Sequence, residues 1–234
     1  MLRSHADCPT AAIVIPRAVS QWHASRFRAG PSILSMLRIE SVRQHRPWGD
    51  WIEGSTGVGL AFLWGFAEGT LFFVVPDVLI SLVALVRPRN AWRHIVAAIA
   101  GSLVAGIILF AWSSQSPQRA GRAVARVPLV SPGMFAEVDH GFRKHGQSAV
   151  LLGPLYGIPY KIYAVEAPAF VSASAFLWIT IPARGVRFLV VWVLFGVAGV
   201  ALRGLRRTDT QLAAGHACVW LLIYSFYACF IHLR

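Results

Sequence analysis

Apolar positions along this chain gather into long runs, each broken by a few charged or helix-breaking residues. The first run, Gly57 to Val86, is thirty residues long and holds only two charges, Glu68 and Asp77. A straight helix of that length would reach about 45 Å, against an apolar bilayer core of about 30 Å. It is too long for one crossing and too short for two. Pro76-Asp77, past its middle, marks a break, and a helical hairpin that enters and leaves on one face accounts for the pattern. A single tilted, kinked helix is the other reading.

Trp92 to Trp112 is a plain span: Arg93 stands at its edge, no other full charge occurs, and the two Trp lie about 30 Å apart at helical rise, where interfacial belts belong. Within it Ala97, Gly101 and Ala105 recur every four residues, with Ser102 and Gly106 beside them, a stripe on which another helix can pack closely. Ser113 to Gly146 is polar, and the spacing of Arg119, Arg122 and Arg126 predicts a basic face on a surface helix. Asp139, His140 and His145 in this stretch are read as loop residues and not as a metal site.

Ser148 to Val171 is apolar again but carries Pro154, Gly157, Pro159, Lys161, Glu166 and Pro168, a density of breakers that predicts a second re-entrant element. Phe176 to Leu202, with Pro182, Arg184 and Arg187 inside it, and Ala213 to Leu233, with Trp220, Tyr224 and Tyr227, read as two further long helices. The expected fold is therefore an all-α polytopic membrane protein, with two re-entrant helical hairpins facing each other and about three transmembrane helices. Residues 48–234 form its single membrane domain.

Residues 1–47 differ in kind, with seven Arg, only Asp7 and Glu40 as acids, and no apolar run longer than a few residues. They are expected to be a disordered basic arm for targeting or lipid binding, with Met36 as an alternative start of the functional protein.

Composition agrees with the runs: 56% of residues are hydrophobic, 14% are charged, and the mean hydropathy is +0.57. The net charge of +12 comes almost wholly from Arg. Because the aromatics sit within or at the ends of apolar runs, with no basic stripe on a soluble module, nucleic acid is excluded as a partner. The basic segments suit membrane topology and anionic lipid headgroups instead. Arg203, Arg206 and Arg207 form a cluster of the sort that stays cytoplasmic, which puts the five basic residues of Ser113 to Gly146 on the opposite face. Cys8, Cys218 and Cys229 suggest neither a disulfide framework nor a zinc site. No nucleophile with its base and no Gly-rich phosphate loop is visible, so neither an enzyme nor a cofactor is expected.

Six ionisable residues fall inside apolar stretches: Glu68, Asp77 and Glu166, balanced by Lys161, Arg184 and Arg187. A charge on an apolar helix costs about 2.5–3.5 kcal/mol on the most lenient scale, so such residues ordinarily face a polar pathway. Arg184 and Arg187 share a helix face and have donors for a phosphate or for the carboxylates of Glu68 and Asp77. The alternative is structural, with Asp77 and Lys161 reaching an interface and the Arg pair only pinning the hairpins.

Gly65-Phe66-Ala67-Glu68, then Pro76-Asp77, then Gly157-x-Pro159-x-Lys161, then Arg184-Gly185-Val186-Arg187-Phe188 together resemble the DedA superfamily, that of the VTT or SNARE-associated Golgi protein domain, and its YqaA-like branch in particular. The resemblance covers about residues 57–199. It implies two inverted re-entrant hairpins facing one another, and movement of phospholipid or a lipid-linked phosphate carrier between leaflets by a flippase, a scramblase or a proton-coupled transporter. It puts Glu68 and Asp77 at the family's acidic positions and Arg184 and Arg187 at its basic ones. Glu166-Ala167-Pro168 stands where the family commonly has Ala-Gly, and Lys161 where Arg is usual. The expected setting is the cytoplasmic membrane of a bacterium, with oligomers allowed and membrane lipids and protons as partners.

Overall fold

The computed structural model describes residues 51–153 and 157–232, with side chains as far as 229. The expected basic arm, residues 1–47, lies outside the described residues. Every described element is a helix, and no strand occurs among them. In order they are α1 (Ser55–Gly69), α2 (Asp77–Val86), α3 (Ala91–Gln115), α4 (Pro117–Ala125), α5 (Pro132–His145), α6 (Ala149–Leu152), α7 (Tyr160–Glu166), α8 (Ala173–Gly204) and α9 (Asp209–His232). Three of these, α3, α8 and α9, are long and apolar enough to cross a membrane.

The first apolar run is two helices and not one kinked helix. α1 and α2 have 15 and 10 residues, separated by a stretch from Thr70 to Pro76 without helical structure. At 1.5 Å per residue they reach about 22 and 15 Å, so neither is long enough to cross a 30 Å core. Their outer ends lie together: Glu53, just before α1, pairs with Arg87, just after α2, and accepts a bond from Asn90 at 3.0 Å. The chain therefore folds back on itself at the break.

A backbone that leaves the helix inside an apolar setting needs partners for its exposed N–H and C=O groups. Side chains supply them. The Thr70 hydroxyl donates to Ala67 O at 2.9 Å, Trp64 Nε1 to Val74 O at 3.0 Å, and Lys161 Nζ to Phe72 O at 2.8 Å. Val75 N–H donates to the Tyr224 hydroxyl at 2.8 Å.

The expected small-residue stripe is where α1 lies on α3. A Cβ at Gly101 would run into the backbone of Phe62 and Phe66, one at Gly65 into the backbone of Ala98, and one at Gly69 into the side chain of Ala105. Ser102 Oγ donates to Gly65 O at 3.3 Å. Gly106, next along α3, instead receives the hydroxyl end of Tyr160. The inner end of α1 and the start of α7 thus meet α3 within one turn of each other, near Ala105.

α2 packs on α8, where Gly199 lets the backbone at Leu85 approach closely. Arg203 Nη2 caps the end of α2 through Leu85 O and Val86 O, at 2.5 and 2.7 Å, which gives this arginine a structural task beyond topology. The polar stretch folds as α4 and α5. Its arginines Arg119, Arg122 and Arg126 are exposed as expected, but Ala120, Val124, Val138 and Phe142 are buried, forming a core with Ile162, Tyr163 and Phe176. One face of α8 and one of α9 carry outward-pointing apolar side chains, with Val197, Leu194, Leu222 and Phe226 all more than 60% exposed, a surface suited to lipid.

The α1–α3 contact leaves no room for added volume. Gly101→Val should lower stability by roughly 1–3 kcal/mol or more, the usual cost of overpacking. Gly59→Val, where a Cβ meets open space, should leave it nearly unchanged. Thermal unfolding of the detergent-purified variants checks both.

Candidate functional site

Five of the six ionisable residues come together where the Thr70–Pro76 break, the start of α7 and the middle of α8 meet. Glu68 sits on the last turn of α1 and pairs with Arg184 of α8. Asp77 opens α2, after Pro76, and pairs with Arg187 at 2.6 Å. The three-residue spacing of the two arginines on α8 matches the two ends of the break, so one helix face engages both arms of the folded-back segment.

The two pairs differ in exposure. Glu68 and Arg184 are both buried, whereas the Arg187 side chain retains 27% of its surface. Arg184 stacks over the ring of Tyr160 at 4.3 Å and near Phe188 at 5.9 Å, so its charge is held by one carboxylate and two aromatic faces. Tyr160 is fixed by its hydroxyl on Thr180 Oγ1 at 3.1 Å and by stacking on Phe176. Asp77 Oδ1, Arg184 Nε and Arg184 Nη1 are buried without a hydrogen-bond partner in the protein. Lys161 is buried, and its ammonium reaches Phe72 O in the break.

Beside these pairs lies a cavity of about 180 Å³. Its charged wall is Glu68, Lys161 and Arg187; its opposite wall is aromatic, from Phe73, Trp220, Tyr224 and Tyr227. Arg184 is absent from the lining, since it lies behind Glu68. With every group ionised, the cluster sets two carboxylates against three cations and leaves one positive charge over.

Glu166 does not join this cluster. It lies at the far end of α7, partly exposed, beside Ser113, Pro117 and Pro168. Seven residues of helix carry it from Tyr160, at the cavity, out to the end of α3, where Ser113 Oγ donates to Val165 O at 2.6 Å. Burial and the nearby Asp139 raise its pKa above the ordinary carboxylate value. The sixfold charge balance expected from the sequence is therefore a fivefold cluster with an excess cation. Asp139 is itself engaged with Arg143, one turn along α5, at 2.7 Å.

The aromatic wall was not foreseen as part of the site. The signal existed in the spacing of His216, Trp220, Tyr224 and Tyr227, four, four and three residues apart, which places four polar-tipped rings on one face of α9.

Comparison with known proteins gives no match: no family model, no curated relative and no solved structure corresponds to this chain.

Arg184→Ala would leave Glu68 buried without the arginine it is hydrogen-bonded to, at a cost of about 3–5 kcal/mol. The double change Glu68→Leu with Arg184→Met, which removes both charges and keeps volume, should recover most of that loss. Thermal unfolding of the two variants checks it, and recovery would show that the pair is costly only when broken.

Proposed function

We propose that this chain is a DedA-like membrane protein that moves phospholipid, or a lipid-linked phosphate carrier, between leaflets, with the cavity as the headgroup site. The observation that carries this is that Lys161 and Arg187 line the cavity with Glu68 as the one carboxylate among its described lining residues. An unpaired cation in an apolar protein is costly to keep, and an anionic headgroup entering beside Lys161 and Arg187 would balance it. The aromatic wall gives the substrate's apolar part a face to lie on.

The two interrupted segments act in this reading as re-entrant hairpins that enter from opposite faces and meet near the middle of α3. Three observations support it: α1 and α2 are each shorter than a bilayer core, their outer ends lie together, and side chains satisfy the backbone of the break. The roles of the two arginines divide. Arg187 faces the cavity and binds, while Arg184 anchors Glu68 behind it. In the proton-coupled form of this reading Glu68 supplies the charge change, since its protonation would weaken its pair with Arg184.

A scaffold without transport is the rival, favoured by the bond from Lys161 to Phe72 O, which gives that lysine a structural task. Lys161→Gln separates the two, because glutamine keeps a donor for Phe72 O and removes the charge. A charge-assisted hydrogen bond is worth about 1.5–3 kcal/mol, so transport of an anionic phospholipid should slow by on the order of tenfold or more. The measurement is headgroup accessibility in liposomes holding equal amounts of folded wild type and variant. Equal rates in the two would remove the headgroup role of Lys161, and a wild type that moves no lipid would leave the scaffold.

A further inference from the structure

The cavity is closed on one side by α9, and α9 is the least embedded of the three long helices: 11% of its apolar span is buried, against 44% for α3 and 17% for α8. What is buried lies near its start. Leu212 and His216 are 4% and 6% exposed, and no later described residue of α9 is buried. The start is also tied down, by Asp209 to Arg87 at 3.3 Å, by the His216 ring edge-on to Phe195, and by His216 Nε2 on Ser81 Oγ at 2.7 Å.

Beyond His216, three hydrogen bonds among the described residues hold the helix to the rest of the molecule. Trp220 Nε1 donates to Ser81 Oγ at 3.0 Å, the Tyr224 hydroxyl accepts from Val75 N–H, and the Tyr227 hydroxyl donates to Gly157 O at 3.1 Å. The opposite face, with Leu221, Leu222 and Phe226, is exposed. In lipid, apolar contact between helices has little net driving force because the tails are equally apolar, so these few polar ties decide whether the upper half stays in place.

Ser81 is a full junction. Its hydroxyl lies within hydrogen-bond distance of the carbonyls of Asp77 and Val78, accepts from Trp220 Nε1 and shares a hydrogen bond with His216 Nε2. The upper ties are of another kind, since both end at the two non-helical turns that border the cavity. When Tyr224 and Tyr227 leave, Val75 N–H and Gly157 C=O become free groups facing the cavity, where an incoming headgroup and its water can take them. Entry of substrate then offsets the loss of the ties.

We propose that α9 is the gate of the cavity: it pivots on its Asp209–His216 base, and the part from Trp220 onward swings away from the two turns, opening the cavity sideways into lipid. This rests on the cavity as the headgroup site, and it adds the route by which a substrate with a tail embedded in the bilayer reaches it.

The test reads α9 directly. With Cys8 and Cys218 changed to Ser, spin labels are placed on the native Cys229 and on Ile108→Cys, an exposed position of α3, in full-length protein in phospholipid nanodiscs. Pulsed dipolar spectroscopy should give two distance populations, with the longer one growing in Tyr224→Phe/Tyr227→Phe, which keeps the rings and removes both ties. Tyr227→Phe alone, which keeps the Val75 bond, should give a smaller shift in the same direction and serves if the double variant does not fold. One narrow distance, the same in wild type and variants, would overturn the gate. Because the distances do not depend on lipid movement, they decide the gate separately from transport.

Discussion

Two ion pairs on one face of α8 hold this structure to its shape. Arg184 to Glu68 and Arg187 to Asp77 tie an unbroken helix to the two ends of a broken one, at a depth where an unpaired charge would cost several kcal/mol. That penalty makes the pairs specific more than strong. Another placement of α1 or of α2 would strand the two charges of its pair, so the register of the folded-back segment is fixed in part by what it would cost to leave it. The close backbone contacts at Gly101 and Gly199 fix the same register sterically, whereas Leu, Val and Ile on these helices are nearly interchangeable in lipid.

The same economy governs the break itself. A chain that leaves the helix in an apolar medium exposes backbone groups that need partners; Trp64, Lys161 and Tyr224 each satisfy one of them, and the Thr70 hydroxyl adds a bond to Ala67 O at the end of α1. These side chains come from α1, from the break, from α7 and from α9. The break is thus the point on which four parts of the chain converge, and the cavity is the space left between them. Lys161 serves in both respects, as a donor to the break and as part of the cavity wall.

Much of the frame was legible from the runs alone. Trp92 and Trp112 bracket α3 because interfacial aromatics mark a span's ends, and Pro76-Asp77 marks the break because proline lacks the donor that a continuing helix needs. The small-residue stripe on α3 was legible for the same physical reason, since only glycine admits a backbone at the Gly101 contact. The membership of the site was legible as chemistry: Glu68, Asp77, Lys161, Arg184 and Arg187 are all too costly to bury without partners. Which acid met which base was not, because a spacing of three on α8 fits either carboxylate until the fold-back is known. Glu166 was grouped with them for its surroundings in sequence, and α7 carries it out of reach. The face of α9 escaped notice because Trp and Tyr count as apolar in a hydropathy run, although their polar tips are what bind here. The buried side of α4 and α5 was hidden in the same way, by the charges on their outer faces.

The central claim is that the first broken segment enters and leaves on one face of a bilayer that α3 crosses. It is tested most directly by labelling single cysteines at Trp51, Arg89 and Gln118 with a membrane-impermeant reagent in sealed, oriented vesicles, with Cys8, Cys218 and Cys229 changed to Ser. Trp51 and Arg89 flank the first broken segment, and Gln118 follows α3. The account predicts that Trp51→Cys and Arg89→Cys react from one face and Gln118→Cys from the other. Reaction of positions 51 and 89 from opposite faces, or of all three from the same face, would contradict it.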